Sequence, residues 1–94
     1  MDKRSADSAA DLIITETVEN LKRHTGVDKA TLQLMVMAHT SRAYELVAMF
    51  TKNTTLALAT KIEIVKRLKA LPGGYFDDVA KWSGVEDIMN LGKA

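Results

Sequence analysis

Apolar residues recur every three or four positions along three stretches of the chain, and each recurrence predicts a helix. In the first stretch Ala10, Ile14, Thr17, Val18 and Leu21 fall on one face. Asp7 or Ser8 can accept the orphan backbone N–H groups at its start, so residues 1–7 are expected to be disordered ahead of it. Glu19 and Arg23 are spaced for an i,i+4 pair. Lys22, Arg23 and His24 put positive charge at the negative end of the helix dipole. Gly26 is placed to end the helix in a left-handed conformation.

The second helix is expected from a cap at Asp28 to about Lys52. Leu32, Val36, His39, Ala43, Leu46 and Phe50 form one stripe, and Leu34, Met37, Ser41, Tyr44 and Ala48 form another. Gln33, Arg42 and Glu45 are among the few strongly polar breaks. A helix apolar on most sides is buried on several sides, either inside its own domain or against a second copy. Thr40 and Ser41 compete for backbone hydrogen bonds and mark a site where this helix could bend.

Asn53, Thr54 or Thr55 can cap a third helix ending near Leu71, with Leu58, Ile62, Val65 and Leu68 as its core stripe. Its "KIEIV" run alternates as a strand would, but both flanks keep the helical period. Pro72-Gly73-Gly74 is the strongest punctuation in the chain. Two short helices follow, at about 75–82 and 86–91, broken at Ser83-Gly84. Phe76, Val79, Trp82, Val85, Ile88 and Leu91 are expected to face the bundle. The pattern predicts one all-α domain over 1–94: three main helices plus a short C-terminal helical hairpin.

Composition narrows the picture. With 47% hydrophobic and 27% charged residues the chain has a globular balance, not a disordered one. Aromatics are 5%, so aliphatics and methionine fill the core, which suits helices better than strands. There is no cysteine, which excludes disulfides and thiolate metal sites and fits a reducing cytoplasm. The N-terminal segment lacks the unbroken apolar core of a signal peptide, and no apolar run has the length of a membrane span. A soluble cytoplasmic protein is expected.

The hairpin "FDDVAKWSGVEDIMNL" has the rhythm of a DNA-reading helix-turn-helix. Ala80, Gly84 and Val85 match that motif, but Ser83, Asn90 and Lys93 stand where it needs apolar residues. Residues 72–94 hold two bases and four acids, net −2, whereas residues 1–71 hold eleven bases and eight acids, net +3. Glu86 and Asp87 would be repelled by phosphates. The hairpin therefore reads as a structural lid with an acidic outer face. Trp82-Ser83-Gly84 resembles the Trp-x-Gly turn of small secreted two-helix proteins. In that family the turn joins two long helices at mid-chain; here it lies near the end, where Trp82 can pack on the bundle while Gly84 reverses the chain.

No catalytic set emerges. His24 and His39 are the only histidines, and no second ligand stands at i+3 or i+4 from His39, so no metal pair forms there. Adjacent Asp77 and Asp78 diverge by about 100° on a helix and suit its first turn. No nucleophile elbow and no phosphate-binding glycine loop is present. The best electrostatic patch is Lys61, Lys66, Arg67 and Lys69 on the third helix, a contact for an anionic partner that Glu63 would dilute by pairing with Lys66 or Arg67.

A chain of 94 residues has little mass to cover a helix apolar on all sides. The expectation is therefore a non-enzymatic interaction or regulatory module, without cofactor, of the kind common as bacterial or phage accessory proteins. It would form a homodimer through Leu32, Val36, His39, Ala43, Leu46 and Phe50, and it could bind another protein. One alternative is a nucleic-acid-associated regulator using the third-helix bases. Another is a bundle holding a small apolar ligand among its Met and Leu side chains.

Overall fold

Each long helix starts where a short polar side chain takes over a backbone donor. In the computed structural model, which describes residues 2–91, α1 (Lys3–Lys22), α2 (Lys29–Thr51) and α3 (Thr54–Lys69) are followed by α4 (Val79–Trp82) and α5 (Glu86–Leu91). Asp2 accepts the Ser5 N–H at 2.8 Å, Asp28 the Thr31 N–H at 3.0 Å and Asn53 the Leu56 N–H at 2.9 Å. Among the described residues there is no strand, and no helix is long and apolar enough to cross a membrane. The all-α bundle with a short C-terminal helical pair is the architecture that the sequence pattern predicts.

Three boundaries differ from expectation: both ends of α1, and the start of α4, which is Val79 instead of about residue 75 because 75–78 form turns. α1 begins at Lys3, so residues 3–7 are helical and the cap is Asp2, not Asp7 or Ser8. The early start has a packing reason: it brings Ala6 into the bundle, where it is buried. At the other end α1 stops at Lys22, and Gly26 does not take a left-handed conformation. Two tight turns carry the chain onward, with His24 N–H on the Leu21 carbonyl and Val27 N–H on the His24 carbonyl. Between α2 and α3 the reversal falls on Lys52 itself, at φ 54° and ψ 31°, a left-handed cap without glycine.

The core is tapered. Its wide part gathers Ile14, Val18 and Leu21 of α1, Leu32, Val36 and Ala43 of α2, and Ile64, Val65 and Leu68 of α3 around Phe76, Val79, Ala80 and Val85. A smaller cluster of Ala10, Val47 and Ala57 holds the other end, where small side chains let the helices approach closely. The five α1 residues predicted to face inward are all buried. On α3 the predicted stripe is rotated: Val65 and Leu68 are buried, but Ala57, Thr60 and Ile64 complete the inner face while Leu58 and Ile62 are half-buried.

The C-terminal pair closes the wide end. Gly84, at φ 78°, reverses the chain between α4 and α5, and an L side chain there would be strained. Phe76, Val79 and Val85 point inward as predicted, Trp82 is half-buried, and Ile88 is exposed. α5 turns Met89 rather than Ile88 toward the core. The placements expected for the Leu91 side chain, Gly92 and Lys93 lie outside the described residues. Lys29 Nζ lies 3.3 Å from Asp78 Oδ2 and ties the start of α2 to the turn before α4.

Buried hydroxyls are satisfied locally. Thr40 donates to the Val36 carbonyl at 2.7 Å, Thr60 to that of Leu56 at 2.8 Å and Ser83 to that of Val79 at 2.7 Å. This back-bonding lets Thr40 sit in the core, and α2 runs as one helix through the Thr40-Ser41 step.

Three outcomes are expected. Phe76→Ala should lower stability by about 3–5 kcal/mol in urea denaturation, because its ring is the largest wholly enclosed side chain. Lys52→Gly should raise it by roughly 0.5–1 kcal/mol, the left-handed strain relieved less the backbone entropy of glycine. Acid should loosen the helix starts. The Ser5 backbone N–H on Asp2, and the Thr31 hydroxyl and then its N–H on Asp28, hold both carboxyls below the ordinary aspartate value. The unfolded chain then takes up protons first as pH falls. The contribution is complete above the unfolded value of about 3.9 and disappears as pH drops through the lower folded values. Asp28→Asn keeps an acceptor that does not titrate, so its stability loss between pH 5 and pH 3 should be smaller than that of the parent protein.

Candidate association surface

α2 carries the candidate surface because it carries almost no charge. Between Ala30 and Thr51 its only charged side chains are Arg42 and Glu45. Its inner face is Leu32, Val36, Thr40, Ala43 and Val47, all buried by the rest of the chain. At 100° per residue, Leu34, Ala38, Ser41, Glu45 and Met49 lie within about 80° of one another and about 180° from that inner face. All five are exposed.

Exposure of the apolar members is large: Leu34 is 66% exposed, Met49 63% and Met37, at the flank, 42%. Scattered single apolar residues on a surface are ordinary. Three on one helix face, interrupted by Glu45 and otherwise by alanine and serine, make a continuous stripe, while Arg42 lies at its flank beside the groove with α1. Neither Arg42 nor Glu45 enters an ion pair among the described residues.

The six residues expected to form one association face are divided by the fold. Leu32, Val36 and Ala43 belong to the core of the chain itself and are closed to a second copy. His39 and Leu46 are half-buried along the groove between α1 and α2, beside Ile13, Glu16 and Asn20. Phe50 is 54% exposed near the alanine-built end. Of the second stripe, Leu34, Met37 and Ser41 face outward, while Tyr44 and Ala48 are half-buried against the smaller core cluster. Sequence spacing had no means of choosing between the stripes, because both repeat at the helical period.

The four bases of α3 also separate. Lys61 is half-buried, while Lys66, Arg67 and Lys69 are exposed in or near the last turn. Arg67 Nε meets Glu63 Oε1 at 3.3 Å, one of the two pairings the spacing allowed. Depressions between α1 and α3 are open to solvent; one is lined by Asp7, Asp11 and Glu63 with Ala10, Ile14 and Leu56. It is not a cavity among Met and Leu side chains. No group of three or more metal-ligating side chains converges among the described residues.

Comparison with known proteins returns no matching family, no matching curated protein and no matching solved structure.

Proposed function

We propose that the protein is a non-enzymatic association module whose working surface is the outer face of α2, and that it pairs with a second copy there. One observation carries the proposal: Leu34, Met37 and Met49 are exposed on a helix whose inner face is already filled. Covering such a stripe removes apolar surface from water at roughly 25 cal/mol per Å². A small chain without disulfides gains most from a partner, since its own core is thin. We assign this module a regulatory role in a cytoplasmic setting, with which the lack of cysteine is consistent.

A second use rests on the basic end of the bundle. α1 and α3 run in the same direction, since the groove between them is lined by Asp7 and Asp11 of α1 with Leu56 and Glu63 of α3 in rising order. The last turns of both helices therefore share one end, which collects Lys22, Lys66, Arg67 and Lys69. Lys66 and Lys69 enter no ion pair among the described residues, which favours an anionic partner such as nucleic acid. This use ranks second because Lys22 is tied to Glu19 and Arg67 to Glu63. Duplex binding that weakens steeply with salt, and further with Lys66→Glu, would establish it.

The pairing proposal separates two stripes that look alike in sequence. Light scattering should give twice the chain mass for the parent protein. Leu34→Glu should give a monomer with unchanged helical circular dichroism, because the side chain supports no core contact. Val36→Glu should unfold the chain by burying a charge in a filled core. A monomeric parent protein at high micromolar concentration would end the pairing proposal.

A further inference from the structure

We infer that the groove between α1 and α2 binds a small dipolar molecule, an α-amino acid with an aliphatic side chain. The groove lies on the flank of α2 and not on its outer face, so the site is independent of pairing there. Two observations carry the inference: a buried hydroxyl without a partner, and two opposite charges that the chain leaves unpaired.

Among the described residues the buried hydroxyl side chains are Thr17, Thr40, Thr60 and Ser83. The last three each donate to the carbonyl four residues earlier. Thr17 is only 8% exposed and makes no such bond. No wholly enclosed side-chain oxygen or nitrogen among the described residues lacks a partner, so the Thr17 hydroxyl keeps an opening to solvent. That opening is the groove, which Thr17 lines. A few polar groups set among apolar ones are what orient a small ligand in such a cleft.

The order of the remaining groups follows from the helix directions. Ala10 of α1 packs with Val47 of α2, so the two helices are antiparallel. Ile13 and Leu46 therefore flank one end of the groove, and Asn20 and His39 flank the other. Glu16 and Arg42 stand between them on opposite walls. Neither enters an ion pair among the described residues.

That order selects the ligand by charge. A simple anion meets Glu16, and a simple cation meets Arg42. A molecule carrying both charges satisfies both walls. The carboxylate of an α-amino acid would accept from the Arg42 guanidinium and the Asn20 amide, and a guanidinium holds a carboxylate by two parallel bonds. Its ammonium would donate to the Glu16 carboxylate and the Thr17 oxygen. An aliphatic side chain would then lie between Ile13 and Leu46, both half-buried. The span from Ile13 to Asn20 is about 10 Å at 1.5 Å per residue, which suits one amino acid and not a long peptide.

Titration of the isotope-labelled protein with L-leucine, followed by nuclear magnetic resonance, tests the site. The amide resonances of Thr17, Asn20 and His39 should move together. N-acetyl-L-leucine lacks the ammonium and L-leucinamide lacks the carboxylate; each should bind about tenfold more weakly or worse. Glu16→Gln and Arg42→Gln should each weaken leucine binding by about tenfold with unchanged helical circular dichroism, since both side chains are exposed. Thr17→Val keeps the shape and should weaken binding by about threefold to tenfold without loss of stability. A threonine that only packs would leave binding untouched and overturn the role given to its hydroxyl. If L-leucine, L-valine, L-isoleucine and L-methionine all leave the groove resonances unmoved at about 10 mM, tenfold above a millimolar Kd, the inference is overturned. It is overturned equally if N-acetyl-L-leucine or L-leucinamide binds as tightly as leucine, because the groove then reads the aliphatic body alone. Coupling between Glu16→Gln and Arg42→Gln in stability, with no amino acid bound, would show that the two charges serve each other across the groove. None of these outcomes bears on the mass of the protein in solution, so pairing through α2 stands or falls separately.

Discussion

Everything in this fold is arranged around one face of α2. Leu32, Val36, Thr40, Ala43 and Val47 are the buried side of α2, and α1, α3 and α4 pack against that helix. α1 and α3 pack along the helix from two sides, and the segment from Phe76 to Val85 closes the wide end that two helices alone would leave open. The connections suit that task. A six-residue link joins α1 to α2, and only Lys52 and Asn53 lie between α2 and α3. So tight a reversal forces Lys52 into a left-handed conformation, a local strain offset by the close packing of Val47 against Ala57 and Ala10.

Where the sequence was legible, a single residue type had a single local use. Asp28 and Asn53 stand immediately before apolar-periodic runs, and both cap as their position requires. Gly84 is the one residue between Trp82 and Glu86 that reverses a chain without strain, and it does. The face of α1 was legible because Asp7, Asp11, Glu16 and Glu19 mark the wet side. Where two residues offered the same chemistry, position alone could not decide. Asp2, Asp7 and Ser8 can all accept a backbone N–H, and the burial of Ala6 is what selects Asp2. Gly26 has the right composition for a helix end, but α1 had already stopped at Lys22. For α2 the missing signal was charge. With only Arg42 and Glu45 to mark a wet side, period alone admits several inward directions, and the buried one includes Thr40, a residue whose hydroxyl hides its apolar half from a pattern search.

Basic charge at helix ends suits helix polarity in α1 and α3, although no acid stands in the first turn of α1, α2 or α3. Lys3 and Arg4 open α1, and Lys22 lies in its last turn. α3 repeats the rule with Lys66, Arg67 and Lys69 in its last turn. Because α1 and α3 run in the same direction, two locally stabilising choices accumulate at one end of the molecule. A basic end can arise in this way without a ligand. The intrahelical pairs Glu19–Lys22 and Glu63–Arg67 belong to the same local logic.

Helix polarity and core packing together leave the outer face of α2 unexplained, and that is the reason to assign it a task. Leu34 and Met49 lie outside both core clusters, so the fold would stand with polar residues in their place. Helix propensity does not demand them either, since glutamate, lysine and glutamine favour a helix about as well as leucine and methionine. An apolar stripe that stability does not require carries an aggregation risk. Ala38 and Ser41 beneath it contribute little to a monomer, but they are what two backbones need in order to approach. Arg42 and Glu45 are opposite charges three residues apart, yet they form no ion pair among the described residues. Pairing through α2 is proposed on the excess of apolar surface alone.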